Sequence, residues 1–288
     1  MIILDGKSLS TKIKNDIKLS IQQTFFADGK LPPKLAIVLV GESPASLVYI
    51  AGKLKACDFV GIKTELFKFN ENVTEKELSA KISQLNADDS INGILVQLPL
   101  PEHICAQKIV DLISPQKDVD GLSNINLGKV LAGDTSGICG CTPRGIIALL
   151  KEYNINLVGK DVVIINRSNL VGKPLAMMFL KENSTVTICH SKTKDLKQKT
   201  LNADIVVVAV GKENFLTADM VKEGAIVVDV GTSKDKITGK TKGDVDFENV
   251  SKKASYISPV PHGIGPMTIA MLLKNTFEAT NIQNKEHN

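Results

Sequence analysis

The sequence predicts an α/β fold in two domains, with the closing helix returning to the first. Three observations predict it. Short apolar runs alternate with amphipathic segments through almost all of the 288 residues, the pattern of parallel sheets flanked by helices. The composition shifts after Asp120, where residues 121–141 become rich in Gly, Ser and Asn and read as the crossing between domains. Residues 161–180, DVVIINRSNLVGKPLAMMFL, then spell strand, loop and helix, the opening of a dinucleotide-binding unit, so the second domain reads as Rossmann-like. The boundaries expected are 1–140 plus 266–288 for an α/β substrate domain and 141–265 for the Rossmann-like one.

A helix over about residues 8–26 precedes the first strand. Residues 34–40, 64–69 and 93–98 read as strands, because each is a short run of β-branched and other apolar residues between turn signals. Between them lie helical patterns over about 46–60 and 74–86, the second opened by Thr74 with Glu77 three residues on, a capping box. After the crossing, CTPRGIIALLKEYNI begins a helix with Thr142 as its cap and Pro143 in its first turn. Strands follow near 161–166, 185–189, 204–210 and 225–230, with a short one near 255–258. The closing helix covers about 267–279, and only the polar tail from Asn281 to Asn288 reads as disordered.

Composition excludes several classes. No apolar run reaches the length of a membrane span, and MIILDGKSLS is too short in apolar residues for a signal peptide. Asp5 and the lack of early arginines also argue against a transit peptide, so the expected compartment is the cytoplasm. Five cysteines, Cys57, Cys105, Cys139, Cys141 and Cys189, are an odd number in a chain without secretory features and read as free thiols. Cys139 and Cys141 lack further ligands at zinc spacing, so no metal is expected. A net charge of +4, spread through helices beside acids, argues against a nucleic-acid partner.

Gly93 to Leu98 is apolar except for Gln97, whose amide must bond something at the strand's carboxyl end, where open parallel sheets bind ligands. DVDG at 118–121 adds two carboxylates at a tight turn. Tyr49 and Lys53 are four apart on one helical face; Lys53 lies beside Ile50, Leu54 and Cys57, where partial burial would disfavour the ammonium and let it exchange protons near neutrality. Taken singly, that pair also reads as an ordinary surface pair. Only Arg144 and Arg167 are arginines among 35 basic residues, and Arg167 stands in the loop after a buried strand, where planar anion recognition favours arginine. That loop lacks G-x-G-x-x-G. Where an NAD enzyme usually carries an acid for the ribose, the chain reads HSKTKDLKQK; Ser191, Lys192 and Lys194 there, with Arg167, suit a 2′-phosphate and hence NADP. Lys197 and Lys199 read as a solvated face. His190 reads as a satisfied loop histidine without a role. VVVAVGK and VVDVGTS each end a strand in Val-Gly, at Gly211 and Gly231, where backbone can approach a flat ligand.

Seven segments in register, SPASLVYIAGKLKACDFVGI, GILVQLPLP, DVDG, CTPRGI, RSNLVGKPLA, DIVVVAVGK and PVPHGIGPMTIAML, resemble the bifunctional methylenetetrahydrofolate dehydrogenase/cyclohydrolase family over nearly the whole chain. The resemblance implies two steps in one cleft: oxidation of 5,10-methylenetetrahydrofolate with NADP, then hydrolysis of the methenyl product to 10-formyltetrahydrofolate. It implies Lys53 as the proton-transfer residue, Gln97 as the group that holds it, Tyr49 packed beside the folate and Asp120 gripping the pterin. A carboxylate can accept two parallel hydrogen bonds from an aminopyrimidinone, which suits Asp120; Asp118 then reads as a turn or capping residue. Asn166, Arg167 and Ser168 fall on the family's phosphate loop, Ser191 on its 2′-phosphate contact and Thr232 beside the nicotinamide end. The family also implies a homodimer. The chain departs from the family pattern at Asn166 for glycine, Thr232 and Ser233 for Ile-Asn, and His262 for the first glycine of PVPGG. These departures leave open a cyclohydrolase with weak or NAD-dependent dehydrogenase activity. A non-catalytic binding module would be expected to lack the lysine, and an unrelated two-domain dehydrogenase would not explain Gln97 with LPLP or DVDG.

Overall fold

The computed structural model describes residues 1–26, 31–234 and 241–286. The chain forms two compact units, Thr11–Cys141 with Ile269–Asn288, and Met1–Ser10 with Thr142–Thr268. It opens with β1 (Ile2–Ile3) and α1 (Gly6–Ile21), the latter running on into a π-turn at Gln22–Phe26.

The unit beginning at Thr11 is built on β2 (Lys34–Val40), α2 (Pro44–Val60), β3 (Lys63–Phe69), α3 (Glu75–Ala87) and β4 (Gly93–Val96). Its three strands are parallel in the order β3-β2-β4. The central strand reads KLAIVLV and is buried from its second residue on, as a strand covered on both faces must be. The capping box on α3 is formed in both directions: Thr74 Oγ1 accepts from Glu77 N at 3.2 Å, and Glu77 Oε2 accepts from Thr74 N at 2.9 Å. α2 starts two residues earlier than its apolar pattern, because Pro44 occupies the first turn, where its missing N–H costs nothing. Leu78, Ile82 and Leu85 of α3 pack with Ala36, Val38, Ile94 and Val96 into the core of this unit.

Two short helices in this unit carry no clear sequence signal, α4 (Ala106–Asp111) and α5 (Asn124–Ala132). The second lies in the stretch read as a plain crossing. Ser123 caps it and Gly133 ends it in the left-handed conformation at φ 72°, signals outweighed in the sequence by Gly128 and the surrounding Ser and Asn.

In the second unit, α6 (Cys141–Glu152) is followed by β5 (Asp161–Ile165), α7 (Gly172–Lys181), β6 (Thr185–Cys189), α8 (Leu196–Asn202), β7 (Ile205–Val208) and β8 (Ile226–Asp229). The antiparallel ribbon β9 (Ser233–Lys234) and β10 (Thr241–Lys242), α9 (Phe247–Val250) and β11 (Tyr256–Ile257) complete it. The parallel sheet runs β1-β11-β8-β7-β5-β6. Its outer strand corrects the expected assignment of the amino terminus: Ile2 and Ile3 pair with Tyr256 and Ile257, so the first ten residues join the second unit. α6 also begins at Cys141 rather than being capped by Thr142, whose hydroxyl lies 2.9 Å from that of Thr268.

The last helix, α10 (Ile264–Glu286), is longer than its apolar pattern. Gln283, in the stretch read as a disordered tail, donates from Nε2 to the carbonyls of Asn92 and Gln116 at 2.9 and 3.0 Å, and those bonds carry the helix past its last apolar turn. Residues 287 and 288 of that tail lie outside the described residues. All five cysteines are free thiols, and no helix among the described residues is long and apolar enough to cross a membrane.

Candidate active site

The first candidate site is assembled by α2, the end of β4 and the turn after residue 117. The backbone N–H of Gln97 still donates to Val38 O at 2.9 Å, so the ladder fixes this residue at the carboxyl end of the sheet. Gln97 Nε2 donates to its neighbour's carbonyl, Leu98 O, at 2.7 Å. That leaves Oε1 to accept from Lys53 Nζ at 3.0 Å, and the two bonds together fix which way the amide points. Tyr49, one helical turn before Lys53, keeps about half of its surface exposed (49 %). Beneath Lys53, burial pushes the Cys57 thiol up to about 12, with the Lys53 ammonium pulling the other way. Cys57 is therefore an inert core group.

The DVDG turn separates its two acids by role. Asp118 is 1 % exposed and accepts from the backbone N–H groups of Gly121, Leu122 and Ser123 and from Asn126 Nδ2. It holds the turn. Gly121 sits at φ 68°, where a Cβ would come within 2.6 Å of Cys139 C, so only glycine fits. Asp120 makes no such bonds to the turn. Burial pushes its carboxyl above the usual carboxylate range; the Lys53 ammonium opposes this, Asp118 adds to it, and a hydrogen bond from Cys141 lowers it. Lys53, Gln97 and Asp120 thus form one cluster.

Two residues of this cluster escaped the sequence. Cys141 reads as a core cysteine and is buried, yet its thiol donates to Val119 O at 3.4 Å, beside Asp120, whose carboxyl it helps to hold down. Asn275, 1 % exposed on α10, donates to Val119 O at 2.8 Å and Cys139 O at 3.0 Å, tying the DVDG segment to the segment that carries Cys141. The available signal was a lone amide in the apolar run MLLKNTF.

The second candidate site lies at the carboxyl ends of β5, β6 and β7, a cavity of about 520 Å³ lined by Asn166, Arg167, His190, Ser191, Lys212 and Phe215 among others, with no acidic residue in its wall. The side chains of Arg167 and Lys212 have no hydrogen-bond or ion-pair partner among the described residues; Lys212 bonds Asp244 through its backbone N–H alone. Unpaired cations over an apolar floor suit the phosphate and adenine of a dinucleotide, so the residues present fit NADP. Asn166 organises the loop: Oδ1 accepts from Ser168 N, Ser168 Oγ and Gly172 N at 2.8, 2.7 and 3.0 Å, and Nδ2 donates to Ala209 O at 2.6 Å. A Cβ on Gly172 would lie 2.2 Å from Asn166 O. The side chain that departs from the family pattern is therefore spent inside the loop.

The Val-Gly pair separates as well. Gly211 is at φ 67° with open space around its Cβ position, whereas a Cβ on Gly231 would lie 2.2 Å from the Asp244 carboxyl. Asp244 is fully buried and accepts from Val210, Gly211 and Lys212 N. Asp229 accepts from Gly231, Asp244 and Val245 N, and burial pushes its carboxyl up to about 6 against those bonds. Gly231 is thus set by internal packing, not by ligand approach. Thr232 is exposed at the next position. His262 is exposed at φ 88°, a conformation that favours glycine.

Residues 4–120 match the family model described as the tetrahydrofolate dehydrogenase/cyclohydrolase catalytic domain, and residues 140–284 match that of its NAD(P)-binding domain. The chain belongs to the tetrahydrofolate dehydrogenase/cyclohydrolase family. A family member from Sulfurihydrogenibium sp. (strain YO3AOP1), named bifunctional protein FolD, is 57 % identical over 96 % of this chain and 97 % of its own length. The crystal structure of bifunctional FolD from Campylobacter jejuni superposes with a TM-score of 0.95 at 53 % identity, covering 98 % of this chain and 99 % of that one. The Trypanosoma brucei dehydrogenase-cyclohydrolase, solved with NADP cofactor and inhibitor, gives a TM-score of 0.94 at 32 % identity, with 99 % of each chain covered.

Proposed function

We propose that this chain oxidises 5,10-methylenetetrahydrofolate to the 5,10-methenyl form with NADP and hydrolyses that product to 10-formyltetrahydrofolate. The observation that carries the reading is the 3.0 Å bond from Lys53 Nζ to Gln97 Oε1 beside the raised carboxyl of Asp120, on a chain of this family.

NADP, when bound, supplies the hydride acceptor for the methylene carbon. The methenyl carbon that results is cationic and electrophilic, so hydrolysis needs positioned water and a proton shuttle, with no metal or covalent nucleophile. Water adds to that carbon and loses a proton, N5 takes a proton as its bond to the carbon breaks, and the remaining hydroxyl gives up its proton to become the formyl oxygen on N10, so that one proton is released overall. Lys53 moves the protons. Gln97 holds its ammonium by a bond whose direction the amide's second contact dictates. Tyr49 packs against the folate, and Asp120 accepts from the pterin's ring N–H and amine. Asn166, Arg167 and Ser168 shape the phosphate loop, Ser191 meets the 2′-phosphate, and Thr232 lies at the nicotinamide end.

An absorbance assay with methylenetetrahydrofolate and NADP or NAD, following reduced cofactor and methenyl intermediate together, tests both steps. NADP-dependent turnover with the intermediate cleared is expected; a protein that reduces neither cofactor and leaves methenyltetrahydrofolate intact would overturn the reading. One observation favours the second reading, a cyclohydrolase with weak or NAD-dependent oxidation: His262 holds a glycine conformation at the loop where the family carries glycine. Equal or better efficiency with NAD would select it.

Asp120 gives a pH dependence. Only the ionised carboxylate accepts both pterin bonds, so affinity is present above its raised pKa and is lost as pH falls through it. The KM for methenyltetrahydrofolate is expected to climb on acidification earlier than an ordinary carboxylate would allow. Asp120→Asn should weaken binding about tenfold or more at neutral pH and flatten that dependence.

The partner reading is a homodimer in the cytoplasm, with no nucleic acid and no membrane. β6 is an edge strand with Ile188 on it and Leu180 on the preceding helix both exposed, a surface that invites pairing. Equilibrium sedimentation at twice the mass of one chain is expected.

A further inference from the structure

His190 follows β6 and lines the cavity that carries Arg167 and Lys212. Its backbone N–H donates to Thr193 Oγ1 at 2.8 Å, and its ring Nδ1 accepts from Lys192 N at 3.1 Å. The second bond assigns the tautomer. A ring nitrogen that accepts carries no proton, so the neutral imidazole bears its proton on Nε2. Nε2 has no hydrogen-bond partner among the described residues. The loop therefore spends one side of this histidine on its own turn and leaves an Nε2–H donor on a wall without acids.

We propose that His190 is a cofactor-specificity residue, donating from Nε2 to the 2′-phosphate of NADP beside Arg167 and Ser191. The phosphate is a dianion at neutral pH with three acceptor oxygens, more than one guanidinium and one hydroxyl satisfy. NAD offers only a ribose hydroxyl there, so the bond discriminates between the two cofactors. This assignment rests on reading the cavity as the 2′-phosphate site.

The test uses the full chain and calorimetric titration with NADP, NAD and 2′,5′-ADP. His190→Asn keeps an acceptor near Nδ1 for Lys192 N and removes the Nε2 donor. It is expected to weaken NADP and 2′,5′-ADP about tenfold while leaving NAD unchanged. His190→Gln, which carries a neutral donor at about the reach of Nε2, is expected to recover part of that loss. An unaltered NADP-to-NAD ratio in His190→Asn, or an equal loss for both cofactors, overturns the assignment. Arg167→Ala separates this failure from a wider one: loss of NADP preference there with none in His190→Asn removes only His190, whereas no loss in either variant removes the cavity as the phosphate site.

Discussion

Replacing Lys53 with methionine is expected to cut hydrolysis of 5,10-methenyltetrahydrofolate by about 10²–10⁴-fold, the range a positioned proton-transfer group supplies. Methionine keeps the length and apolar stem of the side chain, so packing against the partly buried wall of α2 persists and the fold is not the variable. What disappears is the ammonium that Gln97 Oε1 holds at 3.0 Å. The variant also leaves Asp120 without the cation that opposes its protonation, so the rise of its folate KM on acidification should begin at a higher pH than in the wild type. Gln97→Ala provides the graded comparison: the lysine stays but loses its orienting bond, and a smaller loss in kcat is expected. Hydrolysis at the wild-type rate in Lys53→Met, measured from the decay of methenyl absorbance, would refute the role.

Gly231→Ala is expected to lose at least about 3 kcal/mol of stability, because the new methyl group must displace a carboxylate that cannot retreat. Asp244 is pinned by three backbone N–H donors, and the Cβ would lie 2.2 Å from it. Moving it strands those donors, at about 1–3 kcal/mol for each that water does not reach. Gly211→Ala is the contrast. Its Cβ position is open, so only the cost of φ 67° remains, about 1–2 kcal/mol. Urea unfolding followed by circular dichroism should rank the two variants in that order; the reverse order would mean that the carboxylate is not the obstacle.

These two glycines also mark the limit of what the sequence discloses. Both end a buried strand after valine and look alike in the sequence, but one is needed for its backbone angle and the other for room beside an acid thirteen positions away in a different turn. Central strands were legible because β2 is apolar at almost every position, and α3 because its capping box is local. The helix α5 was hidden by a glycine in its middle and by polar neighbours. Gln97 could be singled out, since it interrupts an apolar strand; Lys53 taken alone reads as part of an ordinary surface pair and stands out only through the family resemblance. Cys141 could not, because a cysteine beside core residues is ordinary; only the folded turn brings its thiol to Val119 O, next to Asp120. The placement of β1 was equally invisible, as two isoleucines at a chain end name no partner strand.

The loop closed by Asn166 bears on rates as well as on shape. Four hydrogen bonds from one amide hold the turn between β5 and α7 without help from a ligand, so a dinucleotide meets a preorganised surface and little ordering entropy is charged to the encounter. Association should then follow a single bimolecular phase whose rate scales linearly with cofactor concentration, without the plateau of a loop that must first rearrange. Differences in affinity among cofactors would reside in how long each stays.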